Sequence, residues 1–420
     1  MLDLRFICEN LEFVKQNISN KNEKADISEI LNFDNRRREI IIEVERLKNL
    51  RNVVSKDIAE LKKNKHDADK QIAEMKEVSD TIKSMDDEQR EVEQKIREIQ
   101  IRIPNVTHPS VPIGKTEDDN KIVYTWGEKK ENPHAKNHIE IAKSLGIVDF
   151  ERGAKVSGAG FHFYTGKGAK LERALINYMV DYHVEKHGYT ELMPPFVVNE
   201  NSMFGTGQLP KMAEDMYKSD ADSMYFIPTA EVPVTNFHNG EMLKGEDLPI
   251  KYTAYSPCFR REAGGYGKEV RGLLRVHQFN KVEMVNFVKP EDSMNQLEII
   301  TSEAEDILKS LGLHYRRVLL CSGDTSFASA ITMDLEIWTQ GEAKWLEVSS
   351  CSCFTDFQAR RANIRFKRDA TAKPEFVHTL NGSGVATPRL MVAILENNVR
   401  EDGHVTIPEP LRQFCGFDEI

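Results

Sequence analysis

The residues best equipped for chemistry lie in SPCFRREAGGYGKEVRGLLRVHQFNKVEMVNF, Ser256 to Phe287. Arg260 and Glu262 stand two apart, so on a strand they share one face. Arg275, His277, Phe279, Lys281 and Glu283 repeat that spacing on a return strand. Between the two runs lies a turn rich in glycine, with Gly264, Gly265, Gly267 and Gly272. Guanidinium forks match phosphate or carboxylate oxygens, an aromatic ring can stack on a purine, and a carboxylate can accept from an ammonium. The face therefore suits a nucleotide together with an amino acid. A hairpin tied by cross-strand ion pairs would give the same pattern.

Three further segments carry candidates. In KWLEVSSCS, Glu347 and Ser349 fall on one strand face, with Ser350 on the other face or at a bulge; a carboxylate beside hydroxyls can hold Mg²⁺, and a buried, hydrogen-bonded glutamate is the alternative. In HTLNGSGVATPRLMVAILENN, Gly382 and Gly384 allow close backbone approach, and Pro388 suits a helix start. Arg389 then falls in the first turn, where a cation opposes the helix dipole, so an anion bound near it would account for it. In IPTAEVPVTN, Thr229 and Glu231 share a strand face and could receive a small amine.

Elements must position these groups. From about Ser28 to Arg102 there is neither glycine nor proline. Ile40, Val44, Leu47, Leu50, Val54, Ile58 and Leu61 step by three or four, as do Ile72, Met75, Val78, Ile82 and Met85, and then Val92, Ile96, Ile99 and Ile103. Polar KKNKHDADK separates the two sets, and Pro104 closes the second. This spacing predicts an antiparallel coiled-coil hairpin of two helices of roughly 35 residues, about 50 Å long. By periodicity alone it could be a dimerisation coil, a spacer or an RNA-binding arm. Val106 to Asn120 reads as a linker. Beyond it, Leu171–Gly188 reads as a helix ended by Gly188, and further helices as Pro290 to Leu311 and Leu390 to Asn397. YTELMPPFVV, SMYFIPTAEVPVTNFH, IKYTAYSPCFRRE, RVHQFNKVEMVNFV, Ile331 to Thr339 and KWLEVSSCSCFTDFQARR read as strands. Without regular strand–helix alternation, the expected class is α+β, an antiparallel sheet flanked by helices with a helical arm.

The bulk properties set limits. A chain of 420 residues, 40% hydrophobic and 30% charged, implies two or three domains. No apolar run reaches the ~20 residues that span a bilayer, and the N-terminus lacks a secretory pattern, so a soluble cytoplasmic protein without membrane contact is expected. Six cysteines, scattered but for Cys351 and Cys353, suggest packed thiols rather than disulfides or zinc. A net charge of -10 does not announce a nucleic-acid partner.

In combination and order, these segments resemble the class II aminoacyl-tRNA synthetases, and among them the bacterial-type seryl-tRNA synthetases, over essentially the whole chain. LERALINYMVDYHVEKHGYTELMPPFVV is similar to the class II first motif, CFRREAG through FNKVEM to the second, and NGSGVATPRLMVAILEN to the third. TAEVPVTN, RGLLRVHQFNKVE and Asn381-Gly382-Ser383 carry the likeness to the serine enzymes. The resemblance implies a tRNA-binding arm over 1–112, a catalytic domain over 113–420, and ATP-dependent joining of L-serine to tRNA(Ser), and to tRNA(Sec), by a homodimer using Mg²⁺. It implies that Thr229, Ala230, Glu231, Glu283, Asn381 and Ser383 hold serine. Arg260 would hold the α-phosphate and the serine carboxylate, with Arg261, Glu262, Val276, Val348 and Ser349 also around ATP. Phe279 would stack on adenine, Arg275 and Arg389 would hold the β- and γ-phosphates, and Glu347 and Ser350 would carry the metal. Gly160 falls where many relatives have a larger, often basic residue. The basic run FQARRANIRFKRD suits a tRNA acceptor surface or a solvated strand edge. A carrier-protein ligase on the same catalytic domain would not need the arm, and a non-catalytic descendant would lose the charged positions retained here.

Overall fold

The computed structural model describes residues 1–130, 135–263 and 271–420. They divide into two compact units: Leu2–Ser19 with Glu23–Pro104, and Met1 with Asn20–Asn22 and Asn105–Ile420.

The first unit opens with two helices that the apolar–charged alternation of the N-terminus concealed. Helix α1 (Leu4–Glu9) is capped by the Asp3 carboxylate, which accepts from the Arg5 and Phe6 amides. Helix α2 (Leu11–Asn20) buries Val14 and Ile18. The predicted hairpin follows as α3 (Ile30–Lys63) and α4 (Asp69–Gln100). Lys62 and Lys63 end α3 and Asp69 begins α4, each complementing the helix dipole. The seam is packed at its base, where Ile40, Val44, Leu47, Ile82, Val92 and Ile96 are all buried. Nearer the turn it thins, and Leu50 and Ile72 are each 38% exposed. Arg36 reaches across to Glu88 at 2.7 Å and Lys48 to Asp86 at 3.5 Å, exposed pairs that set register more than stability.

The second unit is built on an eight-stranded sheet. In chain order its strands are β1 (Lys121–Trp126), β2 (Thr190–Glu191), β3 (Ile250–Phe259), β4 (Gln278–Val288), β5 (Tyr315–Leu319), β6 (Ile331–Thr339), β7 (Lys344–Thr355) and β8 (His378–Ala386). Across the sheet they run β1-β5-β6-β7-β8-β4-β3-β2. Every neighbouring pair is antiparallel except β2–β3. The expected α+β class is therefore found. Helices α5 (His138–Leu145), α6 (Lys167–His187), α7 (Glu231–Asn236), α8 (Ser293–Ser310), α9 (Phe357–Ala362) and α10 (Thr387–Asn398) surround it. Helices α6, α8 and α10 share one large apolar core with the sheet, including Leu175, Met179, Ile300, Ile307, Leu390 and Ile394.

Several strand expectations need correction. YTELMPPFVV is two short strands, β2 and Val197–Asn199, because Pro194 and Pro195 cannot donate to a ladder. The stretch 224–238 is a strand only over Met224–Phe226 and then turns into α7. FQARR is helix α9 rather than a continuation of β7. All six cysteines are free, and five of them are buried. Among the described residues no helix is long and apolar enough to cross a membrane.

One buried acid ties α6 to the sheet. Glu172 accepts from Asn280 Nδ2 at 2.8 Å and from Thr387 Oγ1 at 2.5 Å, joining α6 to β4 and to the first residue of α10. Burial pushes its carboxyl up to about 7, against the pull of those two hydrogen bonds. Because the folded value is raised, its contribution to stability is complete below the unfolded value of about 4.3 and is lost as pH rises through the folded one.

Two outcomes test these points. The melting-temperature difference between Glu172→Gln and wild type should grow in favour of the variant from pH 5 to pH 8, tracking the shift to about 7; a gap independent of pH would contradict the buried proton. In denaturant unfolding followed by helical circular dichroism, Ile40→Ala should cost about 2–5 kcal/mol and Ile72→Ala under about 1. Equal losses would show that the seam is packed evenly along its length.

Candidate active site

Strand β4 lies inside the sheet and carries the centre of the site. Its alternation sends Phe279, Lys281 and Glu283 to one face, opposite Cys258, Ser256 and Ala254 of β3. On the other side Glu283 lies opposite Ser383 of β8. Thr229 and Glu231 approach from above, though not along a strand. Pro228 halts the extended run, Thr229 Oγ1 accepts the Glu231 amide at 3.2 Å, and Glu231 is the first residue of α7. Both side chains reach the same pocket by this turn.

A buried polar network results. Thr229 Oγ1 donates to Glu283 Oε2 at 2.9 Å, and Lys281 Nζ donates to Thr229 Oγ1 at 2.9 Å while pairing with Glu283. Asn381 Nδ2 lies 3.2 Å from Glu283 Oε1 and 3.3 Å from Glu231 Oε2. Gln358 Nε2 donates to the other Glu231 oxygen at 2.6 Å, and Thr379 Oγ1 donates to Gln358 Oε1 at 2.7 Å. Glu283 is fully buried and Glu231 nearly so. Burial, and then the charge of Glu283, push the Glu231 carboxyl up to about 7, while the Gln358 hydrogen bond, Lys281 and Arg260 pull it back. Such a pair favours an incoming cation that can also donate hydrogen bonds.

Arginines border the same pocket. Strand β3 stops at Phe259, so Arg260 and Glu262 do not share a strand face as expected, and Glu262 adopts a left-handed φ of 51°. Even so, Arg260 returns over the site with its guanidinium 5.1 Å from the centre of the Phe279 ring. Arg275 and His277 precede β4, and Arg275 Nε donates to Glu262 Oε2 at 2.5 Å. Arg389 stands in the first turn of α10, as expected. It donates to the Glu347 carbonyl at 2.6 Å and lies 3.5 Å from the Glu347 carboxylate. Gly264, Gly265 and Gly267 lie outside the described residues.

The pairing of β6 with β7 shifts register between Leu335–Ser349 and Glu336–Glu347. Val348 is the extra residue of this bulge, and alternation resets there. Glu347 and Ser350 thus both line the pocket, whereas Ser349 turns inward and donates to the Ser383 carbonyl at 2.5 Å. The expected shared face of Glu347 and Ser349 is not found, and Glu347 is exposed rather than buried. Opposite Ser350 stands Asp334, buried, its carboxyl pushed up by burial and by Glu347. A carboxylate and a hydroxyl on one open face form an oxygen donor set suited to a hard divalent cation.

Of the remaining expected residues, Val276, Val348, Asn381 and Ser383 line the pocket. Ala230 is fully buried in a neighbouring apolar cluster. Arg261 is exposed and donates to the Glu214 carbonyl at 3.1 Å, away from the pocket. The basic run is largely engaged within the protein: Arg360 pairs with Asp356, Arg368 with Glu291 and Glu375, and Arg361 is buried against Phe204 and Phe357. Gly160 has a local reason: a Cβ there would meet His277 Cδ2 at 2.5 Å, and its carbonyl accepts the His277 amide at 3.0 Å. Sequence reasoning placed Lys281 on the right face without giving it a place in the site. Gln358 it missed altogether, since nothing local marks a helical glutamine as the partner of a distant acid.

Comparison with known proteins bears on this arrangement. The family model of the seryl-tRNA synthetase N-terminal domain matches residues 1–107, and that of the tRNA synthetase class II core domain (G, H, P, S and T) matches 214–398. The chain is 55% identical to a serine–tRNA ligase of Caldicellulosiruptor bescii and 58% identical to serine–tRNA ligase 1 of Clostridium acetobutylicum, with 100% of each chain covered in both cases. Its fold is similar to the crystal structure of seryl-tRNA synthetase from Pyrococcus horikoshii complexed with ATP, with a TM-score of 0.93, 37% identity, and 100% of this chain and 99% of that one covered. With both parts matched and relatives alike from end to end, the chain belongs to the seryl-tRNA synthetase family of the class II aminoacyl-tRNA synthetases.

Proposed function

We propose that this chain condenses L-serine with ATP to seryl-adenylate, releasing pyrophosphate, and passes the seryl group to the 3′ end of tRNA(Ser), with tRNA(Sec) as a second acceptor. The observation that carries this reading is that Thr229 and Asn381, both bonded to the buried Glu283, line with Glu231 the same pocket as Arg260, Arg275 and Arg389.

In this reading the serine ammonium is received by Glu231, Glu283 and Thr229. Asn381 and Ser383 surround the serine side chain, and Ala230 supports the turn between Thr229 and Glu231. A buried acceptor left unpaired by alanine supplies discrimination of the order of ~10⁴. Arg260 holds the serine carboxylate and the α-phosphate, so that an oxygen of the carboxylate attacks phosphorus in line as pyrophosphate departs. Both reactants are anionic, and the guanidinium groups offset their repulsion while fixing the approach. Phe279 offers a stacking surface for adenine, with Glu262, Val276 and Val348 shaping the nucleotide site, and Ser349, turned inward, is assigned no direct contact. Arg275 and Arg389 hold the outer phosphates. Glu347 and Ser350 would hold Mg²⁺, which when bound neutralises phosphate oxygens. Arg261 points elsewhere and is assigned no direct contact.

The arm over 1–112 is proposed to engage tRNA by shape, because A-form helices hide their base edges from side chains. Residues 113–420 form the catalytic domain in this reading, which places the protein in the cytoplasm as a homodimer. Apolar side chains left open on the catalytic unit, Met193 at 88%, Val156 at 68% and Ile122 at 51% exposed, favour the dimer.

Serine-dependent ATP–pyrophosphate exchange tests the pocket: Glu283→Ala should lower it by at least ~100-fold, since Thr229, Asn381 and Lys281 lose their acceptor. Near-normal exchange would overturn the assignment. Shortening α3 and α4 together should leave exchange within about twofold while tRNA charging falls at least ~10-fold, each tenfold loss corresponding to one strong contact. Parallel loss of both activities would instead make the arm structural.

A further inference from the structure

Residues 273–275 bring three groups to the nucleotide side of the pocket, and each is tethered differently. The Leu274 carbonyl accepts from Arg389 Nε at 3.4 Å, and Arg275 Nε donates to Glu262 at 2.5 Å. Those partners belong to the site itself. The Leu273 amide, however, donates to Nε2 of His138, at 3.2 Å, a residue outside the pocket and fully buried.

Receiving that proton at Nε2 fixes the ring as the tautomer that carries its hydrogen on Nδ1. Nδ1 in turn lies 3.1 Å from Glu396 Oε1, which also accepts the His138 amide at 2.8 Å. The second Glu396 oxygen accepts the amides of Gly341 and Glu342, each at 3.0 Å. Glu396 is thus a buried carboxylate with four donors, and the ring is locked by its partners on both sides. Glu342 Oε1 also approaches Nδ1, at 3.4 Å. Although His138, Glu342 and Glu396 could together face a metal ion, Nδ1 bears the proton and has no lone pair to offer. Glu396 lies seven residues beyond Arg389 in α10, which returns it to the same helix face. The adjoining backbone is shaped to this contact: Gly272 has a φ of 62°, and a Cβ there would fall 2.2 Å from His138 Nε2.

We propose that His138 is a positioning residue for the nucleotide. It holds the backbone of Gly272 to Leu274 against helix α10, and so sets where Arg275 and the Leu274 carbonyl meet the phosphates and Arg389. The inference rests on the activity proposed above and concerns the ATP side alone.

Kinetics of serine-dependent ATP–pyrophosphate exchange separate the contributions. In His138→Asn the amide nitrogen can still serve Glu396, but nothing reaches Leu273; in His138→Gln the amide oxygen can take the Leu273 proton. The asparagine variant should raise KM for ATP by roughly tenfold and leave KM for serine within about twofold, and the glutamine variant should return KM for ATP to within about threefold of wild type. Unchanged KM for ATP in the asparagine variant, or equal rises for both substrates, would overturn the proposal. Nitrogen-15 histidine spectra of the wild-type protein give a check that no substitution can disturb: a proton on Nδ1 of His138 is expected, and one on Nε2 would defeat it. Absence of exchange in the wild type would sink the activity reading, while the spectra would still decide the tether.

Discussion

Two carboxylates buried within reach of one amide set the terms for everything around them. Glu231 and Glu283 share Asn381 and are buried, one at the start of α7 and the other midway along an interior strand, so two like charges stand close together away from water. The surroundings answer with a lysine on Glu283, a glutamine on Glu231 and a hydroxyl between them. Glu231 stands where a proton is readily gained or lost, with its carboxyl pushed up to about 7. With Lys281 already on Glu283, the proposed serine ammonium would be the second cation, met first by Glu231 at the pocket wall.

The opposite requirement governs the nucleotide side, where anions must be drawn together. Here the groups come from irregular backbone: Arg260 and Glu262 past the end of β3, Arg275 ahead of β4, Arg389 at the mouth of α10, and Glu347 with Ser350 across a bulge. A regular strand supplies Glu283 and the turn into α7 supplies Glu231, while strand ends, a bulge and the start of α10 supply the groups proposed to face the phosphates. Helix α10 serves this side twice, since its first turn carries Arg389 and its last holds Glu396 against His138.

What could be read in the sequence follows the same division. Steps of three and four over ten turns identify the hairpin because each helix can hide its stripe only against the other. The alternation of Phe279, Lys281 and Glu283 is legible because β4 is an interior strand, buried from its fourth residue onward. Short-range chemistry defeated the reading elsewhere. EVPVTN alternates like a strand, yet Pro228 and the Thr229 turn commit it to helix α7. The face carrying Glu347 depends on a bulge chosen by the partner strand β6, which no local pattern contains. Arg260 and Glu262 reach the pocket past the end of β3, the second by way of a left-handed backbone rather than by pleating. The helices before Asn20 were hidden by their brevity, since capping by Asp3 rather than a long stripe defines the first.

The central claim is electrostatic, and proton release on amino-acid binding measures it directly. Titrating L-serine into the protein near pH 6.5 in buffers of different ionisation enthalpy reports the protons exchanged. An ammonium seated beside Glu231 lowers its proton affinity from about 7, so up to about one proton should leave, and none in Glu231→Gln. Binding heats that do not depend on the buffer, or protons taken up, would contradict the account.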